Sequence, residues 1–162
     1  MHSRRYSIHR FTGCVLSLLC LAAVLTPLSA FAALGGDMNS VVNDEAGLHG
    51  NLLSTPTSSF TIHEIRSESG TVIREYMSRT GTVFAVSWRG PWLPDMKQLL
   101  GSYFQQYEDA AQAQTSVHGG RRPLQIAQPE FVLQLSGHPR SFVGRAYLPN
   151  MLPANVQAEA IQ

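Results

Sequence analysis

The chain has 162 residues, with 12 Lys+Arg against 11 Asp+Glu, a formal net charge of +1 and two cysteines. So small a charge, with no basic run, excludes electrostatic steering toward nucleic acid or an anionic membrane. Cys14 and Cys20 both lie in the first 20 residues, so the remainder has no disulfide, thiol nucleophile or cysteine-based metal site.

Residues 1–32 read as a signal peptide. Arg4, Arg5 and Arg10 form a basic head, an apolar stretch of about 15 residues follows, and Ala30-Phe31-Ala32 supplies a small-x-small cleavage pattern. The stretch is short of the ~20 residues that span a bilayer, and no small residue precedes Cys20 as a lipoprotein would require. Cleavage would leave 130 residues with nine basic and eleven acidic groups, a net −2. The expected product is a periplasmic or secreted single domain without stable membrane insertion.

Residues 33–59 are expected to be a short helix and linker. Ala33-Leu34-Gly35-Gly36 reads as a flexible lead-in, Asp37 as the cap of a helix reaching about Leu48, and residues 55–59 as a linker. A single α+β domain should occupy residues 60–155. Three strands, 60–66, 71–78 and 82–89, are rich in β-branched and aromatic residues, and the turns between them end in Gly70 and Gly81. Pairing Arg66 with Thr71 would put Ile62 opposite Glu75, Glu64 opposite Ile73 and His63 opposite Arg74. The next register is open by one residue. The version burying more apolar surface sets Phe84, Val86 and Trp88 beside Phe60, Ile62, Ile73 and Met77, with Glu64 and Glu75 on the same face.

Gly90-Pro91-Trp92-Leu93-Pro94 stops the third strand. A helix then starts near Pro94, with Met96, Leu99, Leu100, Tyr103, Phe104, Tyr107 and Ala111 at helical spacing. Residues 118–123 read as a loop. Strands at 124–128, 131–136 and 142–148 follow, and 156–162 is a C-terminal tail. Strand runs flanking one helix imply α+β: an antiparallel sheet, made of a three-stranded meander plus two or three C-terminal strands, with one long amphipathic helix packed on it.

Catalytic patterns are absent. His49, His63, His118 and His138 are 14, 55 and 20 residues apart, no metal-ligand spacing, and no nucleophile elbow, phosphate loop or dinucleotide motif occurs. No metal and no cofactor is expected. Glu64 and Glu75, diagonal on one face, would stand about 7–8 Å apart, a separation that carboxylates use in glycoside hydrolysis. A small envelope hydrolase is therefore the alternative to a non-enzymatic binding domain. For binding, Trp92, Trp88 and Tyr103 are the candidate contacts to an envelope protein or glycan, Trp92 foremost because it sits on a proline-bracketed loop.

The block Gly70-Thr71-Val72-Ile73-Arg74-Glu75-Tyr76 and Gly81-Thr82-Val83-Phe84-Ala85-Val86-Ser87-Trp88 is the most specific part of a wider pattern. It also includes Ala33-Leu34-Gly35, His63-Glu64-Ile65, Gly90-Pro91, Pro94-Asp95, Leu99-Leu100-Gly101, Tyr103-Phe104 and Gly144-Arg145-Ala146-Tyr147-Leu148-Pro149. Over most of 33–155 the chain resembles a family of small exported proteobacterial proteins classed as a domain of unknown function. The resemblance implies export and a single domain, and brings no catalytic residue, cofactor or substrate.

Overall fold

The computed structural model describes residues 33–118 and 122–162. The leader read at 1–32, and residues 119–121 of the loop, lie outside these.

Seven strands form one antiparallel sheet: β1 (Gly50–Pro56), β2 (Phe60–Ser67), β3 (Val72–Ser78), β4 (Val83–Gly90), β5 (Leu124–Ala127), β6 (Val132–His138) and β7 (Ser141–Tyr147), in the order β1-β2-β3-β4-β7-β6-β5. Among the described residues three α-helices accompany it: α1 (Met38–Gly47), α2 (Met96–Leu100) and α3 (Phe104–His118). The α+β class, the C-terminal strands and the amphipathic helical segment are as expected. Asp37 caps α1 through the N–H groups of Asn39 and Ser40, and Asp95 caps α2 through those of Lys97 and Gln98.

Several local expectations are corrected. The helix breaks at Gly101, whose φ of 52° closes α2 before a 3₁₀ turn leads into α3. Residues 50–56 form the edge strand β1, paired with β2 from Gly50↔Ser67 to Pro56↔Thr61. Pairing decides that strand, since its own residues carry little β signal. Its outer edge is blunted: Glu45 Oε1 accepts the Leu52 N–H at 3.2 Å, and Pro56 has no N–H to offer. The lead-in is fixed too, with Ala33 and Leu34 buried and Gly35 and Gly36 hydrogen-bonded to Val83.

Register is the largest correction. Arg66 pairs with Val72 instead of Thr71, so Ile65 faces Ile73, Glu64 faces Arg74 and His63 faces Glu75. One residue of slip exchanges the two faces of β2 relative to β3. A bulge at Phe84 follows, because Tyr76 pairs with Ala85 while Met77 pairs with Val83. It splits the expected apolar set. Val86 and Trp88 go with Ile65, Ile73 and Met77 under the helices, whereas Phe84 joins Phe60, Ile62 and Tyr76 on the other face.

The inner face carries the main core, with Leu99, Leu100, Phe131, Leu133, Ala146 and Leu148 all buried. Tyr103 of the 3₁₀ turn stacks on Phe131 at 4.9 Å between ring centroids. The outer face is half covered: residues 152–161 fold over Tyr76, Phe84 and Ala85, leaving Ile161 at 1 % exposure. The segment read as a tail is thus the lid of a second, smaller core.

Candidate functional site

On the outer face, side chains from successive strands line up in rows across the sheet. The apolar row runs Ile62, Tyr76, Ala85, Tyr147 and Val132, and the 152–161 segment covers it from Ile62 to Tyr147. Next to it runs a polar row, Glu64–Arg74–Ser87–Arg145–Gln134–Gln125, each member the cross-strand partner of the next. A third row, Arg66–Val72–Arg89–Val143–Ser136, lies beyond and is open. Strand alternation produces these rows: Ser87 and Arg89 point outward because Val86 and Trp88 point into the core.

The polar row grips the C-terminal segment by its main chain. Arg74 Nη1, Tyr76 OH and Ser87 Oγ donate to the Gln162 main-chain oxygen at 2.9, 2.7 and 2.9 Å, and the Gln162 N–H returns a bond to Tyr76 at 3.0 Å. Arg145 Nη1 donates to the Ala158 and Ile161 carbonyls at 2.6 and 3.3 Å, and its Nε to Gln134 Oε1 at 2.8 Å. Held so, Ile161 and Gln162 form a wall. Between that wall and the open row runs a groove of about 450 Å³ lined by Arg89, Gln125, Gln134, Ser136, Val143 and Arg145. It continues across Arg89 and Val143 into a chamber of about 330 Å³ beside Arg66, Val72 and Arg74.

The electrostatics are one-sided. Among the described side chains four guanidiniums meet one carboxylate, Glu64, whose two oxygens take Arg66 Nη2 at 2.7 Å and Arg74 Nε at 2.8 Å. The Arg74 hydrogen bond, aided by Arg66, holds the Glu64 carboxyl below its usual range against partial burial. Arg89 is exposed and makes no ion pair or side-chain hydrogen bond with any described residue.

The residues singled out from sequence scatter. Glu64 and Glu75 lie on opposite faces because of the register slip, so the expected carboxylate pair does not form. Glu75 is wholly buried beneath α1, against Asp44 and beside His63. Trp88 is in the core at 2 % exposure with no partner for its indole N–H, and Tyr103 is half-buried against Phe131. Trp92 alone is open, at 59 % exposure on its loop. Its backbone is tied down by Thr71, whose hydroxyl donates to the Trp92 carbonyl at 2.9 Å. The three aromatics share no surface. Among the described residues no group of three or more His, Cys, Asp or Glu side chains could hold a metal ion, and no helix is long and apolar enough to cross a membrane.

Arg89, Arg145, Gln134, Gln125 and Ser136 were not singled out by sequence reasoning. The signal was the period-two alternation of polar residues in β4 and β7, which weighing faces by apolar content alone passes over.

What the groove offers is hydrogen-bond donors and positive charge beside an apolar strip of Leu124, Leu135, Val143 and Ile161. Its two hydroxyls are Ser87, engaged by Gln162, and Ser136, and among the described residues no histidine or acidic side chain lines the groove, so no nucleophile stands beside a base there. The fold and groove thus define a small α+β protein built around one antiparallel sheet, with a donor-lined cleft on its outer face. The profile of a family of proteins of unknown function, DUF2844, matches residues 30–161, and the chain belongs to that family. No curated protein and no solved structure matches it.

Proposed function

We propose that this chain is a non-enzymatic binding domain of the cell envelope, exported to the periplasm or beyond the cell once residues 1–32 are removed. The observation that carries the binding reading is the outer-face groove, a donor-rich cleft with no nucleophile–base pair among its lining residues. Export is supported by the leader's basic head, apolar run and Ala30-Phe31-Ala32. The hydrolase reading has no such support, since its two carboxylates face opposite sides of the sheet.

The test has two arms. The full chain is expressed in a Gram-negative bacterium, the cells are fractionated, and the recovered protein is sequenced from its N-terminus. Mature protein starting at Ala33 in the periplasm or medium is expected, and uncleaved cytoplasmic protein overturns export. Residues 33–162 are then coupled to resin through a Thr80→Cys substitution, at the opposite end of the strands from the open row. Envelope extract should yield a specific partner. Turnover of glycan, ester or peptide substrates by the pure domain would overturn the non-enzymatic reading.

A further inference from the structure

The groove already shows how it holds a chain, because part of its floor is occupied by the protein's own backbone. Arg145 takes the Ala158 and Ile161 carbonyls, and Arg74, Tyr76 and Ser87 converge on the Gln162 oxygen. Three donors, one cationic, meet on that one oxygen. This floor suits extended polypeptide and acidic oxygen alike.

Beside it, Arg89 has no ion pair or side-chain hydrogen bond among the described residues, and the Arg66 side chain is 68 % exposed while touching Glu64 with one nitrogen. Gln134 spends its carbonyl on Arg145 Nε, which leaves its amide N–H groups to the groove. Among the described residues no aromatic side chain faces the cleft, since Trp88, which borders it, points into the core. The stacking platform that nucleic-acid bases use is therefore missing.

We propose that the open row Arg66–Val72–Arg89–Val143–Ser136, alongside residues 161–162, binds an extended acidic polypeptide segment of a partner, with Arg89 as its principal anchor. The proposal rests on the binding reading above and names its ligand. Four interstrand steps from β2 to β6 span about 19 Å, which matches five or six extended residues. Arg66 and Arg89 are two strands apart, about 10 Å, between the ~7 Å of residues i and i+2 and the ~13 Å of i and i+4, which share one face of an extended segment; long arginine side chains span that difference. A carboxylate meeting a guanidinium here makes a charge-assisted, two-pronged contact.

The probe is fluorescein-labelled hexaglutamate, titrated into residues 33–162 and followed by anisotropy at 20 and 200 mM NaCl. Saturable binding that weakens with salt is expected. Arg89→Glu should weaken it at least tenfold, and Val143→Glu, which sets a carboxylate beside Arg89, should do the same. Arg79→Glu, on the distant β3–β4 turn, should leave it within twofold. Thermal melts confirm that each variant is folded, and two independent groove variants guard against one failing to fold. No saturable binding, equal loss in Arg79→Glu, or no loss in the groove variants overturns the proposal. So does tighter binding of polygalacturonate, an anionic polysaccharide, or inhibition by inorganic phosphate at concentrations matching the peptide. The same Arg89→Glu protein on the envelope resin separates this inference from the reading beneath it. A partner retained equally by wild type and variant overturns the groove assignment while binding stands. Arg89-dependent hexaglutamate binding with no envelope partner supports the groove and removes the envelope reading.

Discussion

Asp44 on α1 and Glu75 on β3 face each other across the buried seam between helix and sheet, at 1 % and 0 % exposure. Gln98 Nε2 of α2 donates to Asp44 Oδ1 at 2.7 Å, while Asp44 Oδ2 and both Glu75 oxygens have no partner with hydrogen-bond geometry. Burial, then the neighbouring Asp44 carboxylate, raises the Glu75 carboxyl to about 9; burial raises Asp44 to about 6. At neutral pH Glu75 is thus the protonated member, a carboxylic acid lodged in the core beside an acidic neighbour.

This pair makes stability fall as pH rises. Both folded-state values lie above the ordinary ones of 4.5 and 3.8, so the folded chain holds protons that the unfolded chain releases. The Glu75 contribution is complete below 4.5 and is lost as pH climbs through about 9, by up to about 1.4 kcal/mol per pH unit. His63, lowered by burial, works in the opposite sense and costs stability as pH falls below 6.5. Urea melts should place the optimum between about pH 4.5 and 6.5. Glu75→Gln should flatten the alkaline limb, with the variant the more stable protein at pH 9. A wild-type optimum above pH 8 would contradict the assignment.

Gly144 is required by the indole of Trp88. A Cβ at 144 would overlap Cζ2 of that ring, stand 2.6 Å from Cε2 and press on the Gln134 carbonyl at 3.0 Å. The ring is fully buried and has nowhere to go. Gly144→Ala should therefore cost about 1–3 kcal/mol in a denaturant melt, and Trp88 emission should shift to the red. Ser141→Ala, on the same strand but exposed, should cost within about 0.5 kcal/mol.

The two tryptophans should respond oppositely to a soluble quencher. Trp88 is sealed in the core and Trp92 is 59 % exposed. Acrylamide titration of wild type should give two populations. Trp92→Phe should leave a single blue-shifted, poorly quenched emission, with the melting midpoint unchanged within about 1 °C. A readily quenched residual signal would mean that Trp88 is not buried.

These placements also show what the residues declared and what they withheld. Periodicity sufficed for β2, β3 and β4 and for the apolar stripe of Met96, Leu99, Leu100, Phe104 and Tyr107, because local pattern and final burial agree there. It failed for β1, whose formation depends on β2 as a template. It failed for register because the turn after Ser67 closes as Ser67 N–H to Thr71 O, one residue from the alternative. Once β2 slid by one, Glu64 and Glu75 parted and the polar row appeared. The groove was hidden for the same reason: its members come from six strands, and only the sheet order makes them neighbours.

Segment 157–162 is the element whose removal would reach both stability and the groove. Ile161 fills the second core against Tyr76, Phe84 and Ala85, and truncating a buried isoleucine costs about 2–5 kcal/mol. Ile161→Ala should lower stability by that order in a denaturant melt. Tyr76→Phe keeps the ring but removes the hydroxyl that bonds both the Gln162 oxygen and its N–H, and should cost about 1–2 kcal/mol. Because the segment is joined to the sheet mainly through Arg74, Tyr76, Ser87 and Arg145, both changes should loosen it ahead of the rest. Hydrogen exchange checks this directly: in Ile161→Ala, protection of the amides of 156, 160 and 161 should drop while those of β3 and β4 keep theirs. Equal loss in both regions would mean that the two cores open as one unit, and that the wall of the groove is no separate element.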